Sequence, residues 1–326
     1  MIQRELSLDN IERTWDRIKD YVSVTPAVRW QDGELLREFS SETEIYAKLE
    51  IFQKTGTFKV RGAMNSILDL DEESLGRGIT AVSAGNHAIA SAYCASQLGT
   101  SAHIFMPATA KPLRIQRAKD YGATITLCET QSEMFERAEM SQEKDGRTFI
   151  HPYEGPLTVQ GSATAGKEFA GQVPQLDAMI LPVGGGGLAA GFGAALKQIW
   201  PDILIYGVEP EGANTMSLSF DAGTTVSLEN VHSVADSLAP PKTEPYTLDV
   251  CRNVIEEIIL VEDSLLIDAM RLIFHDLRLA VEPAAAATAA ALRGPLREKL
   301  SGARVGTICC GTNLSLEDFW SLVGSS

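Results

Sequence analysis

GITAVSAGNHAIASAYCASQLG, residues 78–99, is a short β-rich apolar run that breaks at a glycine turn and continues as a helix-forming stretch. The unit repeats downstream. SAHIFMP (101–107), KPLRIQRAKDYG (111–122), ATITLC (123–128), QSEMFERAEMSQEKDG (131–146) and TFIHP (148–152) alternate strand and helix. Farther on, AMILPV (178–183) leads through a glycine run into LAAGFGAALKQIW (188–200) and then ILIYGVEP (203–210). Such alternation is the signature of parallel βαβ units, and near-continuous apolar strands suit sheets covered on both faces. The pattern predicts an α/β fold of two open, twisted, mostly parallel-sheet domains. Residues 66–149 form the small domain, and 1–65 with 150–326 form the large one. Residues 211–250 are rich in turn formers and are expected as a surface excursion. EPAAAATAAAL (282–292) reads as a buried helix.

The chain of 326 residues exceeds what one core usually organises, in keeping with two domains. Hydrophobic residues at 44% and charged residues at 22% lie in the range of ordinary globular proteins. A formal charge of −15 repels phosphate backbones and anionic lipid, so neither a nucleic-acid nor a membrane partner is expected. No apolar run reaches the length of a membrane span. The start, MIQRELSLDNIERTWDRIKDYV (1–22), reads as an amphipathic helix rather than a signal peptide, which makes the cytoplasm the expected location. Cys94, Cys128, Cys251, Cys309 and Cys310 show neither CxxC nor zinc spacing and are expected as buried thiols in a reducing compartment.

LPVGGGGLAAG (181–191) places Gly184, Gly185, Gly186 and Gly187 between a buried strand and a helix start. Without side chains, successive N–H groups can converge on one anion at a positive helix end. A plain strand-to-helix turn would need one glycine, and four are costly in conformational entropy. Three phosphate motifs compete. A dinucleotide fingerprint finds two of its three glycines in Gly184 and Gly186, but position 189 is Ala. Glu209 lies where a ribose-binding acid would, so a nicotinamide-dependent oxidoreductase stays an alternative. A Walker pattern runs from Gly161 to Lys167 and fails at Glu168. The run itself best suits a single phosphate monoester.

KLEIFQKTGTFKVRGAMNSI (48–67) holds Lys48, Lys54, Lys59 and Arg61. Lys59 lies between Phe58 and Val60 after a Thr-Gly-Thr turn. Desolvation there would lower its pKa and free the amine as a nucleophile, whereas a lone lysine beside Phe is commonly a snorkelling surface residue. A nucleophilic amine together with a monoester site points to pyridoxal 5′-phosphate.

The segment Gln53-Lys-Thr-Gly-Thr-Phe-Lys-Val-Arg-Gly-Ala63 resembles the lysine segment of serine/threonine dehydratases and serine racemases, pyridoxal-phosphate enzymes of the tryptophan synthase β-like fold. Ser83-Ala-Gly-Asn-His-Ala88, Pro182 to Leu188, Val281-Glu-Pro-Ala284 and Cys310-Gly-Thr-Asn313 are similar to its other motifs, in the same order. The resemblance covers Thr25-Pro26 to Asn313. It implies that Lys59 carries the cofactor and shuttles the α-proton, that Phe58 packs at one ring edge, and that Asn86 bonds the cofactor's 3′-oxygen. Gly184, Gly185, Gly186 and Gly187, with the Leu188 amide, would hold the phosphate. Ser83, Ala84, Gly85, Asn86 and His87 form a strand-to-helix turn whose free N–H groups suit the substrate's α-carboxylate. Taken alone, that turn reads more readily as an Asn cap with a buried His87; the company of the other motifs reverses the preference. Cys310 stands where many relatives carry Ser opposite the pyridine nitrogen, and Glu282 is expected near the ring. A homodimer is expected from the resemblance alone.

The departures carry information. Serine racemases have a second Ser immediately before Gly-Asn-His, as base for the opposite face; here that residue is Ala84. Relatives that bind a divalent cation such as Mg2+ use two acids and a backbone carbonyl. Glu209 and Ala213 fit the first acid and the carbonyl, whereas the second acid falls at Thr215. Some racemases carry an Arg six residues after a Cys-Glu pair; after Cys128-Glu129 that position is Phe135. The expected activity is elimination of the β-hydroxyl from an L-threonine- or L-serine-like amino acid, giving a 2-oxo acid and ammonia. Alternatives are dehydration or racemisation of another 3-hydroxy amino acid, such as hydroxyaspartate or phenylserine.

Overall fold

A computed structural model describes residues 4–324. Its ten strands are β1 (Ala27–Trp30), β2 (Glu44–Leu49), β3 (Ile79–Val82), β4 (Ala102–Pro107), β5 (Thr124–Cys128), β6 (Thr148–Phe149), β7 (Ala178–Pro182), β8 (Leu204–Pro210), β9 (Glu257–Val261) and β10 (Arg304–Cys309). A four-stranded, wholly parallel sheet has the order β5-β4-β3-β6. A six-stranded sheet has the order β1-β2-β10-β7-β8-β9, with β1 alone antiparallel to its neighbour. The α/β class and the two mostly parallel sheets match the expectation. β3 and β7 are buried at every residue, as strands covered by helices on both faces must be. No helix among the described residues is long and apolar enough to cross a membrane.

Open parallel sheets place ligands beyond the carboxyl ends of their strands. Three chain segments meet there: Ser83 follows β3, Gly184 follows β7, and Cys310 follows β10. Close helix packing fixes their neighbourhood. A Cβ on Gly161 would stand 2.5 Å from the Arg61 carbonyl oxygen, and one on Gly166 would stand 2.6 Å from that of Phe192. The Walker-like stretch is thus the interior of the Pro156–Ala170 helix, where its glycines let helix backbones touch. Residues 211–250 differ from the expected surface excursion. Ala235 and Leu238 are buried, and the segment returns across the glycine run: a Cβ on Gly184 would meet the Leu238 Cα at 3.0 Å.

Behind the Lys59–Ile67 helix lies a buried ionic cluster. Arg61 Nη2 donates to Glu50 Oε1 at 2.8 Å and to Glu168 Oε1 at 3.1 Å, while Lys48 Nζ donates to Glu168 Oε1 at 2.5 Å. Lys48, Glu50 and Arg61 are wholly inaccessible to solvent. Removing one member leaves uncompensated charge in a dry interior. Arg61→Met is expected to destabilise the apoprotein by about 3–5 kcal/mol, measured as a lowered urea midpoint at unchanged slope.

Candidate active site

Lys59 opens the Lys59–Ile67 helix directly after the turn at Gly56, whose φ of +70° suits glycine. The turn is pinned to the end of β10: Thr57 bridges Gly311, and Phe58 N donates to the Cys310 carbonyl at 3.2 Å. Lys59 is half-buried; its Nζ donates to the Pro152 carbonyl at 2.6 Å and stands 5.1 Å from the Phe58 ring centre. Burial pushes the amine down to about 8, with Cys310 opposing. Much of it is therefore neutral, and nucleophilic, just above physiological pH. The amine faces a cavity lined also by Asn86, Tyr153, the glycine run, Leu238 and Cys310.

In the glycine run, Gly186 has a φ of +88°. A Cβ on Gly185 would overlap the Tyr153 ring, and one on Gly187 would stand 2.6 Å from the Tyr153 carbonyl oxygen. The N–H groups of Gly185, Gly186, Gly187 and Leu188 find no acceptor among the described residues. They sit at the N-terminus of the 13-residue Gly187–Ile199 helix. Converging amides at a helix start, with no room for side chains, suit one compact dianion.

The Ser83–His87 turn joins β3 to the Asn86–Gln97 helix. Ser83 Oγ accepts from Gly85 N at 3.1 Å, and the amides of Asn86 and His87 have no acceptor among the described residues. The His87 ring points into the fold, with Nε2 2.8 Å from the Ile150 carbonyl oxygen. Burial, reinforced by Lys59, pushes it down to about 3, so the ring is neutral. What His87 offers the turn is its backbone amide. Ala84 is exposed and presents only a methyl group.

Asn86 lines the cavity and is held from behind: Nδ2 donates to Glu282 Oε2 at 2.8 Å, and Oδ1 accepts from Asn313 Nδ2 at 2.7 Å. Glu282 is 1% exposed and is not among the cavity-lining residues. Cys310 is among them, and burial pushes its thiol well up, so the sulfur is a neutral, weak donor.

Sequence reasoning missed three further residues. His151, Pro152 and Tyr153 connect β6 to the Pro156–Ala170 helix; one carbonyl holds the lysine amine and one ring forces the glycines. His151 Nδ1 accepts from Glu154 N at 2.9 Å, and burial, aided by Lys59, pushes the ring down to about 3. Only the loop's place after a strand end hinted at this. Phe135, on the Gln131–Asp145 helix, is 40% exposed and does not line the cavity.

The cation ligands expected at Glu209 and Ala213 have other surroundings. Both Glu209 oxygens accept helix-start amides, from Met216 N at 2.8 Å and Ser217 N at 2.7 Å. Burial outweighs these bonds and pushes the carboxyl up to about 8. No group of three His, Cys, Asp or Glu suited to a metal occurs among the described residues. One occupied carboxyl and the Thr215 hydroxyl do not fit a hard divalent cation. Lys59, the glycine cup, Asn86 and Cys310 do fit pyridoxal phosphate: an amine for its aldehyde, unpaired amides for its phosphate, and polar groups for its ring substituents.

The family described as "Pyridoxal-phosphate dependent enzyme" matches residues 18–311. A phenylserine dehydratase from Ralstonia pickettii is 43% identical over 303 residues, 93% of this chain and 92% of the relative. A serine racemase from Schizosaccharomyces pombe is 33% identical over 95% of each chain. Among solved structures, maize serine racemase superposes with a TM-score of 0.88 at 34% identity, over 96% of this chain and 95% of that one.

Overpacking typically costs about 1–3 kcal/mol, roughly ten- to hundredfold in affinity. Gly187→Ala, which meets backbone, is expected to weaken pyridoxal-phosphate binding by that factor in equilibrium dialysis. Gly185→Ala meets a side chain instead, so adding Tyr153→Ala should restore binding. Cofactor capture by apoprotein should accelerate with pH and level off above about 8, as the Lys59 amine becomes neutral. This is measurable by stopped-flow absorbance.

Proposed function

The chain belongs to the pyridoxal-phosphate-dependent enzymes, and on that premise we propose that it eliminates the β-hydroxyl of a 3-hydroxy amino acid, yielding a 2-oxo acid and ammonia. The observation that carries the reading is the Lys59 amine beside both an anion-binding turn and a phosphate-sized glycine cup. When bound, the cofactor supplies the electron sink for charge that develops at the substrate's α-carbon. Free amides of the Ser83–His87 turn bind and orient the α-carboxylate. Lys59 Nζ, held by the Pro152 carbonyl, takes the α-proton and, as ammonium, gives a proton to the departing hydroxide. The enamine set free is hydrolysed by water to the 2-oxo acid and ammonia.

L-threonine- and L-serine-like substrates are favoured over hydroxyaspartate. Among the described residues Lys59 is the one cation lining the cavity, so a second substrate carboxylate finds no further cationic partner among them. Phenylserine is a second reading, supported by the apolar Phe58 and Leu238, the Tyr153 ring and the 43% identical phenylserine dehydratase. Residues 66–149 then form a small domain and 1–65 with 150–326 a large one, a division supported by two sheets that share no strand. The proposal includes a homodimer in the cytoplasm, where five unpaired thiols are at home.

Incubation with L-serine, L-threonine, phenylserine and 3-hydroxyaspartate should release 2-oxo acid from the first three well ahead of the last. Release from hydroxyaspartate alone would overturn the substrate assignment. Racemisation needs an acid–base group on each face of the α-carbon, and Ala84 offers none. A positioned acid or base is worth about a hundred- to ten-thousandfold, so D-serine should lag pyruvate by a comparable factor in chiral chromatography. Ala84→Ser should narrow the gap.

A further inference from the structure

Arg114 occupies the first turn of the Pro112–Asp120 helix, which belongs with the four-stranded sheet, yet its guanidinium bonds wholly outside that unit. Nη1 donates to Asp236 Oδ2 at 2.6 Å and Nη2 to Asp236 Oδ1 at 3.2 Å, a two-toothed pair. Nη2 also reaches Glu282 Oε2 at 3.4 Å, and Nε donates to the Asn313 carbonyl at 3.0 Å. The residue is 5% exposed, and its stem lies directly beside the anion-binding turn: a Cβ on Gly85 would stand 2.5 Å from Arg114 Cδ. Its main partner, Asp236, begins the short Asp236–Leu238 turn, of which Ser237 and Leu238 line the cavity and Leu238 packs on Gly184. Ser237 Oγ in turn donates to Glu282 Oε2 at 3.2 Å, the same oxygen that holds Asn86.

One side chain therefore touches the seat of the substrate carboxylate and bonds the segment that roofs the cavity. The two ends differ in firmness. Glu282 is 1% exposed, whereas the Asp236 side chain is 46% exposed, and ion pairs open to water are weak and exchangeable. Resting on the proposed reaction, we infer that Arg114 is a positioning residue that couples the Ser83–His87 turn to the Asp236–Leu238 roof. Seating the α-carboxylate and covering the cavity are then one event. Arg114 governs substrate capture and leaves proton transfer to Lys59. Lysine at this position keeps the charge but cannot make the planar two-toothed contact, so it restores the function only in part.

The test uses cofactor-loaded protein and L-alanine, an amino acid with no β-leaving group, with hydrogen exchange followed in peptides containing 83–87 and 236–238. Wild-type protein should gain protection in both at one midpoint concentration. Arg114→Met should shift the turn's midpoint upward about tenfold or more and leave the roof unprotected, with Arg114→Lys in between. In steady-state elimination, Arg114→Met should raise KM about tenfold or more while kcat stays within about threefold. Lys111→Met, which breaks only the Lys111–Asp318 pair at the N-cap of that helix, should change neither. Should Arg114→Met fail to retain cofactor, Asp236→Asn weakens the same link from the solvent side and should likewise raise the turn's midpoint and leave the roof unprotected. Joint protection at an unshifted midpoint in the variants, or a fall in kcat without a change in KM, overturns the inference. Absence of 2-oxo acid from wild-type protein overturns the proposed reaction instead.

Discussion

A carboxylate buried in a protein interior must be surrounded by donors, and Glu282 draws its donors from four separate chain segments. Asn86, Ser237, Arg114 and the Asn313 amide all reach its two oxygens. These groups come from a helix start after β3, the roof turn, the Pro112–Asp120 helix and the stretch after β10. No two are near neighbours in sequence. Their common acceptor links helices packed with the four-stranded sheet to segments that belong with the six-stranded one. Glu282 acts one layer behind the cavity, through Asn86, rather than on its wall.

The cavity itself carries little charge. Burial keeps the nearby His87 and His151 neutral and Cys310 protonated, while the Lys59 amine on the wall changes protonation near pH 8. A neutral thiol opposite a pyridine nitrogen would not enforce a charged ring, so the electron sink would be mild. Such a setting would suit a reaction in which the leaving group departs early. The exposed methyl of Ala84 acts in the same direction.

Local pattern was enough for much of this protein. Near-continuous apolar strands and the glycine breaks disclose the βα rhythm, because a strand covered on both faces is buried at every residue, as β3 and β7 are. Gly184 to Gly187 announce themselves because four adjacent glycines are expensive without a purpose, and Lys59 gains its meaning only together with them. Tertiary structure decided what local pattern cannot carry. Arg114 looks like any basic residue on an amphipathic helix until Asp236, 122 positions away, meets its guanidinium. The turn-rich 211–250 stretch looks like surface until Leu238 lands on Gly184. Glu209 has the spacing of a cation ligand, but its oxygens are taken by the start of the following helix. Covalent neighbours write themselves into sequence through steric and hydrophobic periodicity, whereas the partner of a polar side chain depends on which distant backbone the fold brings within hydrogen-bond reach.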